Sequence, residues 1–159
     1  MHYKNLFAFA FLLAPTAFAA DITINQTVKY HDEKIIATKI KSECVTLGPK
    51  LVASTEAAVQ QNGWSVIKKD VVDGTGSGVS LKLTIANAHS SGNAFIGHHK
   101  SVGIIAELFK DGKLVDTYTG ERSSSGGFGA GFKGSCAVLE RCVNTLGKDV
   151  SEWLSKQKI

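Results

Sequence analysis

Asp111-Gly112, set between two β-rich runs, constrains this chain more than any other pair of residues. Asp and Gly accept the positive φ angles that a two-residue hairpin turn demands, so the flanking runs are predicted to pair antiparallel. Closing the turn with Lys110 opposite Lys113 assigns the later pairs: Phe109 with Leu114, Leu108 with Val115, Ala106 with Thr117, Ile105 with Tyr118, Ile104 with Thr119. Side chains alternate across a strand, which places Val102, Ile104, Ala106, Leu108 and Val115 on a core face. The other face then holds Ile105, Phe109, Leu114 and Tyr118, with Glu107 facing Asp116. A like-charged cross-strand pair is destabilising, so this second face is predicted to lie in water. Ile105 and Tyr118, exposed there, mark a candidate binding surface.

The rest of the chain supplies partners for that hairpin. Val79, Leu81, Leu83 and Ile85 alternate with Ser80, Lys82, Thr84 and Ala86, the period of a half-buried strand. Before it, Asp73 to Gly78 reads as a glycine-rich turn; after it, residues 87–98 are polar and small and read as a loop. Trp64 to Lys68 reads as a strand. Lys34 to Ile40 is β-branched and is expected to be a strand, and Ile22 to Ile24 a strand or an arm. Pro49 opens a helix of about residues 49–62, with Leu51, Val52, Thr55, Ala58 and Val59 at helical spacing and Asn62-Gly63 as its stop. Ser123 to Ser135 holds five Gly and two Phe and is expected to be irregular. Leu139, Val143, Leu146, Val150, Trp153 and Leu154 trace one apolar stripe, predicting a terminal helix of about 136–156. These elements give an α+β fold: a mainly antiparallel sheet of four to five strands with two helices packed on one face.

Location comes from the other end. Met1 to Asn5 is weakly basic, Leu6 to Ala14 is apolar, and Ala17-Phe18-Ala19 has the small-x-small pattern of a signal-peptidase site. The run is far shorter than the ~20 residues that span a bilayer, so residues 1–19 are read as a signal peptide cleaved after Ala19. No Cys stands at the cut for lipid attachment. Residues 20–159 are then a single domain, expected to be soluble in the periplasm without stable membrane insertion. The net charge is +4 and its lysines are scattered, which favours an anionic surface weakly and gives no nucleic-acid footprint. Oligomeric state is not legible.

Several motifs invite chemistry that the sequence does not support. Gly129-Ala130-Gly131-Phe132-Lys133-Gly134 matches G-x-G-x-x-G, yet dinucleotide binding needs a strand after the helix, and the sequence stops at Ile159. A glycine-rich contact loop, presenting Phe128 and Phe132, is the better reading. His98-His99, with His89 and His31, suggests a metal, but tandem residues on a strand point apart. Asp32-Glu33 and Asp70 with Asp73 lie in turns, and no G-x-S-x-G or H-E-x-x-H occurs. The expectation is no cofactor, no metal and no catalysis; a hydrolase using His98 or His99 is the weakest alternative. Asn25-Gln26-Thr27 matches a glycosylation sequon.

Three cysteines in an oxidising compartment suggest one bridge and one spare thiol. Cys136 and Cys142, six apart on an unbroken helix, would lie roughly 10 Å apart, beyond the ~7 Å bridging limit. A bridge from Cys44, before the first helix, to Cys142 or alternatively Cys136 is preferred.

The order of a Gly-x-Gly turn, an alternating strand, an Asp-Gly hairpin, a Ser/Gly-rich stretch from Ser123 to Gly131 and a helix ending in Trp153-Leu154 resembles a group of small bacterial envelope proteins of unknown function. Many of these are outer-membrane lipoproteins with an α/β sandwich. The resemblance covers about residues 64–155 and implies an envelope location and that fold, with no catalytic residues. The expected function is non-enzymatic binding of an envelope protein or anionic envelope component through Ile105, Tyr118, Phe128 and Phe132. The alternative is a periplasmic inhibitor or immunity protein that blocks a toxin or hydrolase.

Overall fold

A computed structural model describes residues 19–93, 97–125 and 134–159. The chain forms strand β1 (Ala20–Asn25), the short β2 (Lys29–Tyr30), helices α1 (Thr38–Glu43) and α2 (Leu47–Gln61), strands β3 (Trp64–Lys69), β4 (Val79–Asn93), β5 (Gly97–Lys110) and β6 (Lys113–Ser125), and helix α3 (Ser135–Leu154). The sheet runs β3-β1-β4-β5-β6, with β2 continuing beside β4. Long antiparallel ladders join β4, β5 and β6, while β1 pairs parallel with β3 and with β4. Parallel neighbours need a crossover, and α1 with α2 supply it between β1 and β3. The fold is α+β with a mostly antiparallel six-stranded sheet and two long helices on one face.

One face of the sheet is the core. Ile22 and Ile24 of β1, Leu81, Leu83 and Ile85 of β4, and Ile104, Ala106 and Leu108 of β5 are buried against Leu51 and Val59 of α2 and Leu139, Val143 and Leu146 of α3. The two helices meet at Gly147, where a Cβ would stand 2.7 Å from the Thr55 backbone nitrogen; only a residue without one lets them approach this closely. Pro49 falls in the first turn of α2, where backbone N–H groups have no intrahelical partner. Gly63, with φ +88°, stops the chain after α2 and turns it into β3.

Asn25 stitches the parallel part together. The β1–β4 ladder stops at Ile24 opposite Leu81, and the β2–β4 ladder starts at Lys29 opposite Thr84. In the gap the buried Asn25 amide takes the place of a strand backbone: Nδ2 donates to the carbonyls of Leu83 (2.9 Å) and Thr27 (2.8 Å), and the Leu83 N–H donates to Oδ1 (2.6 Å). A side chain so committed is a structural group, whatever its sequon.

Three expectations are corrected. Residues 34–40 are not a strand: Asp32 accepts the Lys34 N–H and starts a turn, α1 begins at Thr38, and the buried Ile36 and Ile40 are four apart, the helical period. Of residues 87–98, expected to be a loop, 87–93 and 97–98 are strand, and 94–96 lie outside the described residues. The β4–β5 ladder runs from Val79 opposite Lys110 to Asn93 opposite Gly97, past a bulge between Ile85 and Asn87. Beyond Ala88 and Val102 its residues are mostly polar, so no apolar alternation revealed it.

The third correction concerns the Asp111-Gly112 hairpin, whose turn is as expected, with Asp111 at φ +50° and Lys110 opposite Lys113. Val115 is an extra residue in β6, so Leu108 faces Asp116, Ala106 faces Tyr118 and Ile105 faces Thr119. Val115, assigned to the core, is 44% exposed. Glu107 faces Thr117 and not Asp116, so the like-charged pair does not form.

Candidate functional site

The bulge at Val115 decides what the outer face of the sheet carries. Every residue of β6 after it sits one position along from the simple hairpin register, and in a strand one position is a change of face. Tyr118, expected beside Ile105, instead faces α3: its ring lies 5.8 Å from that of Trp153, centroid to centroid. Burial and the nearby Asp149 push the Tyr118 phenol above its ordinary range. On the same side the Trp153 indole N–H donates to Asp116 (3.1 Å), and Arg122 donates through Nε and Nη2 to both carboxylate oxygens of Asp149 (2.7 and 2.6 Å). Tyr118 therefore closes the core edge and does not form a surface with Ile105. Phe128 and Phe132 lie outside the described residues.

What remains on the outer face is built on β4, β5 and β6, and α2 and α3 pack on the opposite side of the sheet. Ile105 stands between Thr84 and Thr119. One step toward the turn, Lys82 donates to Glu107 at 2.7 Å across the strands. Beyond that, Phe109 is covered by the loop after β3: a Cβ at Gly74, which has φ +78°, would fall 2.5 Å from its ring. The loop is clasped to the hairpin turn, the Asp111 N–H donating to the Gly78 carbonyl (2.9 Å) and the Gly78 N–H to the Asp111 carboxylate (2.8 Å). Asp73 accepts from the N–H and hydroxyl of Thr75, and the backbone bond above all holds its carboxyl below the usual carboxylate range. The expected glycine-rich turn is thus an ordered cap on one end of the face.

Past the bulge, a groove of 340 Å³ lies between the α1 segment and the far end of β4 and β5, and it takes Ile40 and Ala88 from the core side together with His89, His99, Ser101 and Glu121 from the outer one. His89 faces Ser101 and His99 faces Ser91, so the two imidazoles stand on one side of the β4–β5 hairpin, diagonal to each other. Asn87 lies flat over Gly103, where a Cβ would meet its amide at 2.8 Å. A second hollow of 240 Å³ lies against the disulfide, between Ile40 and Glu43 of α1 and Ser91 of β4. The groove offers a ligand apolar contact from Ile35, which is 56% exposed, together with imidazole and carboxylate groups. Among the described residues no three His, Cys, Asp or Glu side chains lie close enough to hold a metal. The sequence pointed to Ile105 but missed this groove, because its walls come from α1, read as a strand, and from a ladder read as a loop.

The bridge joins Cys44 to Cys136, with Cα atoms 5.1 Å apart, and not Cys44 to Cys142. α3 starts at Ser135, so Cys136 lies in its first turn beside the end of α1. Cys142, six residues on, is a free buried thiol whose acidity burial has weakened, the opposite of what a nucleophile needs. Among the described residues no helix is long and apolar enough to cross a membrane.

No family model and no curated protein matches the chain. Solved structures share its fold. It is similar to protein XCC0632 from Xanthomonas campestris, described as DUF330, at a TM-score of 0.54 and 12% identity over 86% of this chain and 83% of that one. The PelC dodecamer from Paraburkholderia phytofirmans matches at 0.52 and 13% identity, covering 85% of this chain and 91% of that one. Lipoprotein GNA1162 from Neisseria meningitidis matches at 0.52 and 13% identity, covering 87% and 99% respectively. At such identities the likeness is one of fold alone, and this chain shares that fold with a bacterial lipoprotein.

Proposed function

We propose that the protein is an exported bacterial envelope protein that binds another envelope protein, or an anionic envelope component, through the outer face around Ile105 and the adjoining groove, without catalysing a reaction. The observation that carries the reading is the sheet itself: helices cover one face, and the other leaves Ile105 and the Ile35–His89–His99 groove open to a partner. Three further observations support the location. Residues 1–19 have the build of a signal peptide, the Cys44–Cys136 bridge suits an oxidising compartment, and a lipoprotein stands among the structural neighbours.

Crosslinking and affinity recovery from the cells that make the protein test this reading. Ile105→Ser is expected to lose the recovered partner, while Tyr118→Ser, altered on the helix face, keeps it. Unchanged recovery with Ile105→Ser overturns the surface assignment. A protein found only in the cytoplasmic fraction overturns the location.

A further inference from the structure

β6 is the last strand of the sheet, and among the described residues no further strand pairs with its outer edge. From Asp116 to Ser125 its ladder with β5 is unbroken, ten residues or roughly 34 Å of strand at ~3.4 Å per residue. An edge of that length presents a row of backbone N–H and C=O groups, a ready template for another strand. The bulge at Val115 twists only the start of β6 away and leaves this stretch regular.

We infer that this edge pairs antiparallel with β6 of a second copy of the chain, about a two-fold axis through Thr119. The charge pattern selects the partner and the register. With Thr119 on the axis, Asp116 of each copy falls opposite Arg122 of the other, so two opposite-charge pairs form symmetrically on the helix side of the sheet. Sliding by two residues sets Asp116 opposite Gly120 or Ser124 and loses both pairs. Sliding by one turns each core-facing side chain toward an outward-facing one.

Both groups have capacity to spare. Arg122 spends two of its five N–H groups on Asp149. Asp116 accepts one bond from Trp153 and one from the Thr117 N–H, leaving lone pairs for an incoming guanidinium. A two-fold axis normal to the sheet keeps both α3 helices on one side, so the dimer is one continuous sheet under a layer of helices. This assembly does not rest on the outer face, which stays open in it.

Sedimentation of the purified chain tests the inference with two reciprocal variants. Wild type is expected to sediment at twice the protomer mass, and Asp116→Arg and Arg122→Asp each as monomers. An equimolar mixture of the two variants returns to the dimer. Across its axis one ion pair is then the native one, and in the other the two charges have exchanged places. A monomeric wild type, or a mixture that stays monomeric while both variants are folded by circular dichroism, overturns it. Should a charge variant fail to fold, a cysteine pair decides: in a Cys142→Ser background, Thr119→Cys is crosslinked to a covalent dimer by a short bismaleimide and Ser65→Cys on β3 is not. Equal crosslinking at the two positions overturns the assignment.

Discussion

Asn25 does with one amide what a strand does with its backbone, and the fold depends on it. Truncation leaves the Leu83 N–H and C=O buried without partners, since all three amide bonds of Asn25 go to backbone groups. At ~1–3 kcal/mol for each orphaned buried group, Asn25→Ala is expected to cost about 2–6 kcal/mol in urea unfolding, more than any exposed Thr→Ala on the outer face. Equal stability would mean that the two parallel ladders do not need the bridge. No local signal marks this role, because the partner lies 58 residues away.

Glu140 is the residue through which pH reaches the helix pair. It accepts from the Thr46 hydroxyl and pairs with Lys50 at 3.2 Å, tying α3 to the start of α2. The Thr46 hydrogen bond first, then Lys50, holds its carboxyl below the ordinary 4.5. A carboxylate with a depressed folded pKa contributes stability that is present above the unfolded value and is lost as pH falls through the folded one. The stability difference between wild type and Glu140→Gln is therefore expected to be full above pH 4.5 and to vanish in acid, as urea melts across a pH series would record. A difference that grows on acidification contradicts this.

Among elements, the bridge and the hairpin show where local sequence stops being informative. Cys136 pairs with Cys44 because the first turn of α3 stands beside the end of α1, a relation between distant elements that no local pattern records. Across a separation of 92 residues, Cys44→Ser with Cys136→Ser is expected to cost about 4–5 kcal/mol in the chain-entropy account, while Cys142 stays unlabelled by maleimide until the protein unfolds. Rapid labelling of native Cys142 would contradict its burial. Strand β5, the first half of β4 and helices α2 and α3 announce themselves by apolar period. The turn at Asp111-Gly112 is legible too, yet nothing local reports the extra Val115, since the bulge exists only as a relation between β5 and β6. Of the two hairpin residues expected on the binding surface, Ile105 stayed on the outer face and Tyr118 went to the core side for that reason.

For the molecule as a whole, the two faces of the sheet divide the work. Its inner face, with α2 and α3, holds the fold together through Ile22, Leu81, Ile104 and Leu146, all fully buried. On its outer face the loop after β3 covers Phe109, and Ile105 lies beyond that cover. The groove beyond Ile105 depends on α1 and on the far end of the β4–β5 hairpin, both visible only once the chain is folded. The central claim is that this outer face, and not the helix side, meets the partner in the envelope. Photo-crosslinking in living cells decides it, with a benzophenone side chain placed at Ile105 or at Trp153. The account predicts a specific adduct with another protein from position 105, and from position 153 none except with a second copy of the chain; an adduct with another protein from 153 and none from 105 would contradict it.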